Sequence, residues 1–209
     1  MLGELVAELS DLSDGVVLGL VRGGVPVAYE VARACGLPLD ILVVRKLGVP
    51  GQEELAMGAV ASGGAIAMNE NVLRRFRVAA KTLEYVIECE KRELERRERL
   101  YRAGRPSVEI AGRTAILVDD GLATGASMRA AIRAVEGKAR RVVVAVPVGA
   151  KSTCEDLATE VDQVVCALMP DPLDAVSLFY REFGPTSDEE VEQLMRHGQG
   201  PEASDQGSK

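Results

Sequence analysis

The chain is predicted to fold as an α/β domain built on a five-stranded, mainly parallel sheet flanked by helices, with a small hood. Three observations point there. Short runs rich in Val, Ile and Leu recur along the sequence: "GVVLGL", "LDILVVR", "TAILV", "RRVVVAVPV" and "VDQVVCALM". They are too continuously apolar for strands with one wet face, so both faces of the sheet must be covered. Between them lie segments of helical period, and Gly or Pro marks most junctions. Strands and helices in alternation give right-handed βαβ units.

In chain order, Leu2 to Leu12 reads as a short helix with Leu2, Leu5, Val6 and Leu9 on one face. "GVVLGL" is the first strand, and "VRGG" turns it into the helix "VPVAYEVARAC", which Gly36 and Pro38 stop. "LDILVVR" is the second strand. The next stretch, "KLGVPGQEELAMGAVASGGAIAMNEN", is Gly-rich without long periodic segments. Loops of that length are commonly functional, and a mobile arm or small hairpin is expected at about 48–64.

Glu70 to Arg102 reads as a long helix with a break near Phe76. Glu88–Arg92, Glu93–Arg97, Glu95–Arg99 and Glu98–Arg102 place Glu before Arg at i,i+4 along it. Its segment "KRELERRERLYR" is a solvated face, because the glutamates cancel the basic charge. "TAILV" is strand three, Ala126 to Val135 a helix, "RRVVVAVPV" strand four, "STCEDLATE" a helix and "VDQVVCALM" strand five. Asp188 to Met195 closes the series as an amphipathic helix. One domain over 1–196 is expected, its hood formed by about 167–196 with the N-terminal helix. The polar remainder, 197–209, is expected to be disordered.

Composition narrows the function. Among 209 residues, 47% are hydrophobic, with four Tyr, three Phe and no Trp, enough for one aliphatic core. A net charge of −7 argues against a general nucleic-acid binder. No apolar run approaches the roughly 20 residues of a membrane span. The acidic start "MLGELVAELSDLSD" is no secretory signal. Cys35, Cys89, Cys154 and Cys166 are scattered, without a C-x-x-C pair. A reduced, cytoplasmic protein is the reading.

The chemistry concentrates after strand three, in "ILVDDGLATGAS". Ligands of open parallel sheets bind beyond the carboxyl ends of the strands, and here the strand delivers Asp119 and Asp120 to that edge. Gly121, Leu122, Ala123, Thr124, Gly125, Ala126 and Ser127 then form a small-residue loop entering a helix. Its amides, the hydroxyls of Thr124 and Ser127 and the helix dipole suit an anion. It is no Walker A loop, since Ala126 stands where that motif needs Lys. Two carboxylates would repel a phosphate unless they face ribose hydroxyls or a magnesium ion. A ribose 5-phosphate satisfies both halves. Arg22, Gly23 and Gly24 after strand one, and Arg45 and Lys46 after strand two, add cations and open backbone at neighbouring strand ends.

These residues resemble the type I phosphoribosyltransferases, closest to bacterial members described only as uncharacterised. "ILVDDGLATGAS" is similar to their phosphoribosylpyrophosphate signature, "LVRGGV" to their pyrophosphate turn, and "RKLGVPG" to the start of their catalytic arm. The resemblance implies a cis peptide at Val21–Arg22, Mg2+ on the donor held near Asp119 and Asp120, and a nucleobase-like acceptor. It implies pentosyl transfer, a glycosyltransferase reaction of nucleotide salvage, with Arg22, Arg45 and Lys46 stabilising departing pyrophosphate. "VDQVVCALMPDPLDAVSLFYREF" looks like a hood over the base, with Met169 and Asp171 near it. Helical spacing makes Phe179 and Phe183 core residues rather than a stacking platform. Two departures concern the acceptor: Ala123 and Ala126 occupy positions that carry an acid or a lysine in purine enzymes. Glu53 and Glu54 are then the nearest carboxylates for a general base, and Glu54 is assigned that role. A donor-sensing regulator and a sugar-phosphate hydrolase remain alternatives, and assembly as a homodimer stays open.

Overall fold

The computed structural model describes residues 1–197; residues 198–209, and with them most of the expected tail, lie outside the described residues. The chain runs α1 (Leu2–Ala7), β1 (Val16–Leu20), α2 (Gly24–Cys35), β2 (Leu39–Leu42), β3 (Val44–Val49), β4 (Gln52–Ala61) and β5 (Ile66–Met68). It continues through α3 (Glu70–Phe76), α4 (Ala80–Arg102), β6 (Thr114–Val118), α5 (Ala126–Val135) and β7 (Arg141–Val148). Last come α6 (Lys151–Leu157), β8 (Gln163–Leu168) and α7 (Asp188–His197).

Five strands form the expected sheet in the order β2-β1-β6-β7-β8. Every pair in it is parallel, with Val17 opposite Ile116 and Leu18 opposite Leu117 at its centre. All residues of β1 and β6 are buried, as a sheet covered on both faces requires. Alternation along these strands feeds two cores. Val17, Ile116 and Val143 meet α1, α2, α4 and α7 on one face, whereas Val16, Leu117 and Val144 meet α5 and α6 on the other.

"LDILVVR" is not one strand. The parallel ladder stops at Leu42, because Val43 turns its backbone to Ser62: the Val43 N–H donates to Ser62 Oγ and the Ser62 N–H to the Val43 carbonyl, both at 2.9 Å. From Val44 the chain enters a separate antiparallel sheet, β3-β4-β5, which makes the expected arm a hairpin with a third strand. Leu47, Met57 and Val60 anchor this sheet in the core, and the turn at Pro50 and Gly51 is exposed.

The long helix does break where expected. Arg77 adopts a left-handed conformation (φ 47°) between α3 and α4. Three of the four Glu–Arg pairs form, Glu88–Arg92 at 3.1 Å, Glu93–Arg97 at 2.8 Å and Glu98–Arg102 at 3.4 Å. The first helix is shorter than its pattern suggested. It ends at Ala7 because residues 8–14 turn back onto the start of β7, with Asp11 at φ 64° and Arg140 paired to Asp11 and Asp14 at 3.1 and 3.0 Å. Sequence reading also missed Asp40, a buried carboxylate that accepts from Arg102 Nε (3.1 Å) and the Val108 N–H (2.8 Å). It pins the end of α4 to β2.

Candidate active site

Two strand ends, those of β1 and β6, meet at one edge of the sheet. β6 ends at Val118, and the next two residues lie part-buried, with the Asp119 carboxylate accepting the Asp120 N–H at 2.9 Å. Burial, then the neighbouring Asp120 charge, pushes Asp119 up to about 8. Asp120 is raised as well, mainly by burial. Like-charged carboxylates in a sheltered place resist ionisation unless a cation or hydrogen-bond donors face them.

The turn after β1 packs directly on this pair, and its Val21–Arg22 peptide is cis. A side chain at Gly23 would overlap the Asp120 carboxylate. At Gly24 a Cβ would sit 2.6 Å from the Val118 carbonyl oxygen and 2.9 Å from the Asp119 Cα. Only glycine lets the two strand ends approach so closely.

The loop that follows is held from outside. Its carbonyls point away from the cavity: Leu122 O accepts from the Ala150 N–H (2.8 Å), Ala123 O from Thr153 Oγ1 (2.7 Å) and Thr124 O from Arg129 Nη1 (3.1 Å). Gly125 then adopts φ 74° as the N-cap of α5, without a side-chain cap bond. First-turn amides of a helix have no intrahelical acceptor, so this edge is suited to an anion. A cavity of about 230 Å³ lies above it, lined by the loop from Gly121 to Met128, both aspartates, Lys46 and Val176.

The candidate residues therefore divide. Lys46, Asp119, Asp120, Gly121, Leu122, Ala123, Thr124, Gly125, Ala126 and Ser127 share the cavity, with Leu122 itself packed in the core. Arg45 turns the other way, its Nη2 2.7 Å from Glu90 Oε2 on α4. Successive strand residues face opposite sides, so Arg45 and Lys46 cannot both point at one ligand from an undistorted β3. Arg22 lies beside Asp188. Met169 and Asp171 are exposed and do not line this cavity. The backbone of Glu54 belongs to β4, but the side chains of Glu53 and Glu54 lie outside the described residues.

The return segment corrects one expectation. Phe179 and Phe183 are not core residues, being 42% and 47% exposed. Their helical spacing misled because the segment forms only a short 3-10 turn, Val176–Phe179. Phe183 instead packs on Tyr180 with ring centroids 5.1 Å apart, and Tyr180 donates its hydroxyl to the Asp120 carbonyl at 2.5 Å. Val176, Tyr180, Thr153 and Arg129 were missed as site residues. The aromatic cluster was a signal for Tyr180, but nothing local marked the other three.

The raised Asp119 has a measurable consequence. Its folded value lies above that of an unfolded carboxyl, so its contribution to stability is fullest below about pH 4 and is lost as pH rises towards 8. Asp119→Asn cannot ionise. Thermal melts from pH 5 to 9 should show the variant gaining on the wild type up to about pH 8, by on the order of 1–3 kcal/mol, and no further above it. A gap that does not change with pH would show that Asp119 is already ionised in the folded protein.

Residues 2–169 match the family model of the phosphoribosyl transferase domain. Over 191 residues the chain is 45% identical to a Mycobacterium tuberculosis protein named "Putative phosphoribosyl transferase", in strains CDC 1551 and H37Rv alike; the alignment covers 90% of this chain and 43% of the relative. The chain thus spans less than half the length of these curated relatives. Among solved structures it is similar to TT1426 from Thermus thermophilus, at TM-score 0.81 and 43% identity, covering 95% of this chain and 94% of that one. Among the described residues no helix is long and apolar enough to cross a membrane.

Proposed function

Because this chain belongs to the phosphoribosyl transferase family, we propose that it binds 5-phosphoribosyl 1-pyrophosphate and transfers ribose 5-phosphate to a nitrogenous base, releasing pyrophosphate. The observation that carries this reading is the single cavity shared by an anion-binding helix start, two adjacent carboxylates and Lys46. The 5-phosphate suits the loop and the α5 amides, and the ribose hydroxyls suit Asp119 and Asp120 as acceptors.

Magnesium fits the same carboxylates. Among the described residues no group of three or more His, Cys, Asp or Glu could hold a metal, so two aspartates would have to be completed by donor oxygens and water. Mg2+ is commonly held that way, and when bound it would neutralise the charge of the diphosphate. The protein's own part is positional and electrostatic. The loop and the aspartates orient the sugar, while Lys46, with Arg22, would offset charge on the departing diphosphate as the C1–O bond breaks; Arg45, paired with Glu90, is left out of that role. A base nitrogen forms the new bond from the opposite face of C1 and gives its proton to a general base, the role proposed for Glu54 on the hairpin. Closure of that hairpin would exclude water from the reacting sugar. Met169 and Asp171 are proposed at the acceptor side.

Thr124→Ala with Ser127→Ala tests the loop. Hydrogen bonds to a charged group are worth ~1.5–3 kcal/mol each, so ribose 5-phosphate affinity by calorimetry should fall at least about tenfold with the fold intact. Unchanged affinity would remove the loop from the site. Pyrophosphate release assayed across a panel of bases then tests transfer, and release independent of any base would indicate a hydrolase.

A further inference from the structure

Arg22 is held by residues remote from its own turn. Its Nη1 lies 3.5 Å from Asp188 Oδ1. The same carboxylate oxygen accepts the Tyr101 hydroxyl at 2.7 Å. Tyr101 is fully buried near the end of α4, which makes it a fixed point. Asp188 opens α7, and that helix is docked against α2 and α4 through buried Val191 and Met195. Asp188 lies beyond residues 2–169, the part of the chain that matches the family model.

We propose that Asp188, fixed by Tyr101, is the positioning residue that aims Arg22 at the diphosphate end of the donor. This rests on the phosphoribosyl-transfer reading of the site. Three physical points support it. The ion pair is 41% and 39% exposed on its two sides, so it contributes little to stability, and its consequence is directional. A guanidinium carries five N–H donors, and the contact with Asp188 is an ion pair at 3.5 Å, which leaves donors for an anion, so holding and binding are compatible. Burial, and then its bond to Asp188, pushes the Tyr101 hydroxyl up to about 12, so it remains a donor at any working pH. Without Asp188, Arg22 is a long side chain with many rotamers, and ordering it would fall to the ligand.

Calorimetry on the full chain with magnesium, using phosphoribosyl pyrophosphate and ribose 5-phosphate separately, tests this. Arg22→Ala should weaken the pyrophosphorylated donor at least about tenfold. Asp188→Asn and Tyr101→Phe should each weaken it by roughly three- to tenfold, with ribose 5-phosphate affinity unchanged, and Asp188→Asn should add nothing in the Arg22→Ala background. Equal loss for both ligands, an effect that persists without Arg22, or tighter donor binding by Asp188→Asn would each overturn the proposal. If Arg22→Ala leaves donor affinity intact, the placement of Arg22 on the diphosphate fails first, and this proposal goes with it. Melting curves identify a variant that has simply lost its fold, and Tyr101→Phe keeps the buried ring so that the test does not depend on Asp188 alone.

Discussion

Gly24→Ala should destabilise the protein by about 1–3 kcal/mol although it adds one methyl group. That methyl would stand 2.6 Å from the Val118 carbonyl oxygen and 2.9 Å from the Asp119 Cα, both backbone atoms that cannot swing aside as a side-chain tip would. Alanine is the better helix former by up to ~1 kcal/mol, and at the first residue of α2 this gain partly offsets the overlap. For a chain of this size the net loss corresponds to roughly 2–12 °C in melting temperature. Gly184→Ala is the control, since a Cβ there meets nothing within 4 Å and φ is ordinary. Separating β1 from β6 would also displace Asp119 and Asp120, so donor affinity should fall in parallel. Should Gly24→Ala melt with the wild type, the two strand ends are not packed as described, and the site built on their contact loses its foundation.

Lys46→Ala is expected to produce the largest loss of function from a single cation, weakening the pyrophosphorylated donor by ~2–4 kcal/mol. Lys46 lines the cavity with both aspartates and the loop. Ribose 5-phosphate, which lacks the diphosphate, should bind the variant almost as well as the wild type. Arg45→Ala is the informative comparison. Its guanidinium is committed to Glu90 on α4, so its removal should register more in the hold of the hairpin on α4 than in ligand affinity. If Arg45→Ala costs the donor as much as Lys46→Ala, β3 must twist on binding, and the division of labour seen in the free chain does not describe the complex. If Lys46→Ala weakens both ligands alike, the lysine sits on the 5-phosphate instead.

What the sequence determined by itself is local. Continuous apolar runs made the parallel strands legible, because a strand buried on two faces must be apolar at every position. α5 could be bounded to the residue, since a glycine turn and a following amphipathic period mark its start within one short stretch. The adjacent Asp119 and Asp120 and the Thr124–Gly125–Ala126–Ser127 loop could be read together for the same reason: four or five neighbouring residues carry both the conformation and the chemistry. The tertiary structure alone decided which distant groups share that site. Val43 leaves the sheet for Ser62, and this exchange sets the facing of β3, bringing Lys46 to the cavity and Arg45 to Glu90. Tyr180 reaches the Asp120 carbonyl, Val176 lines the cavity, and Asp188 meets Arg22 across most of the chain length. The raised Asp119 likewise depends on what covers it. Periodicity and turn chemistry are encoded over a few residues, whereas side-chain facing, burial and long-range pairing depend on how finished elements pack, and no single stretch of sequence carries that information.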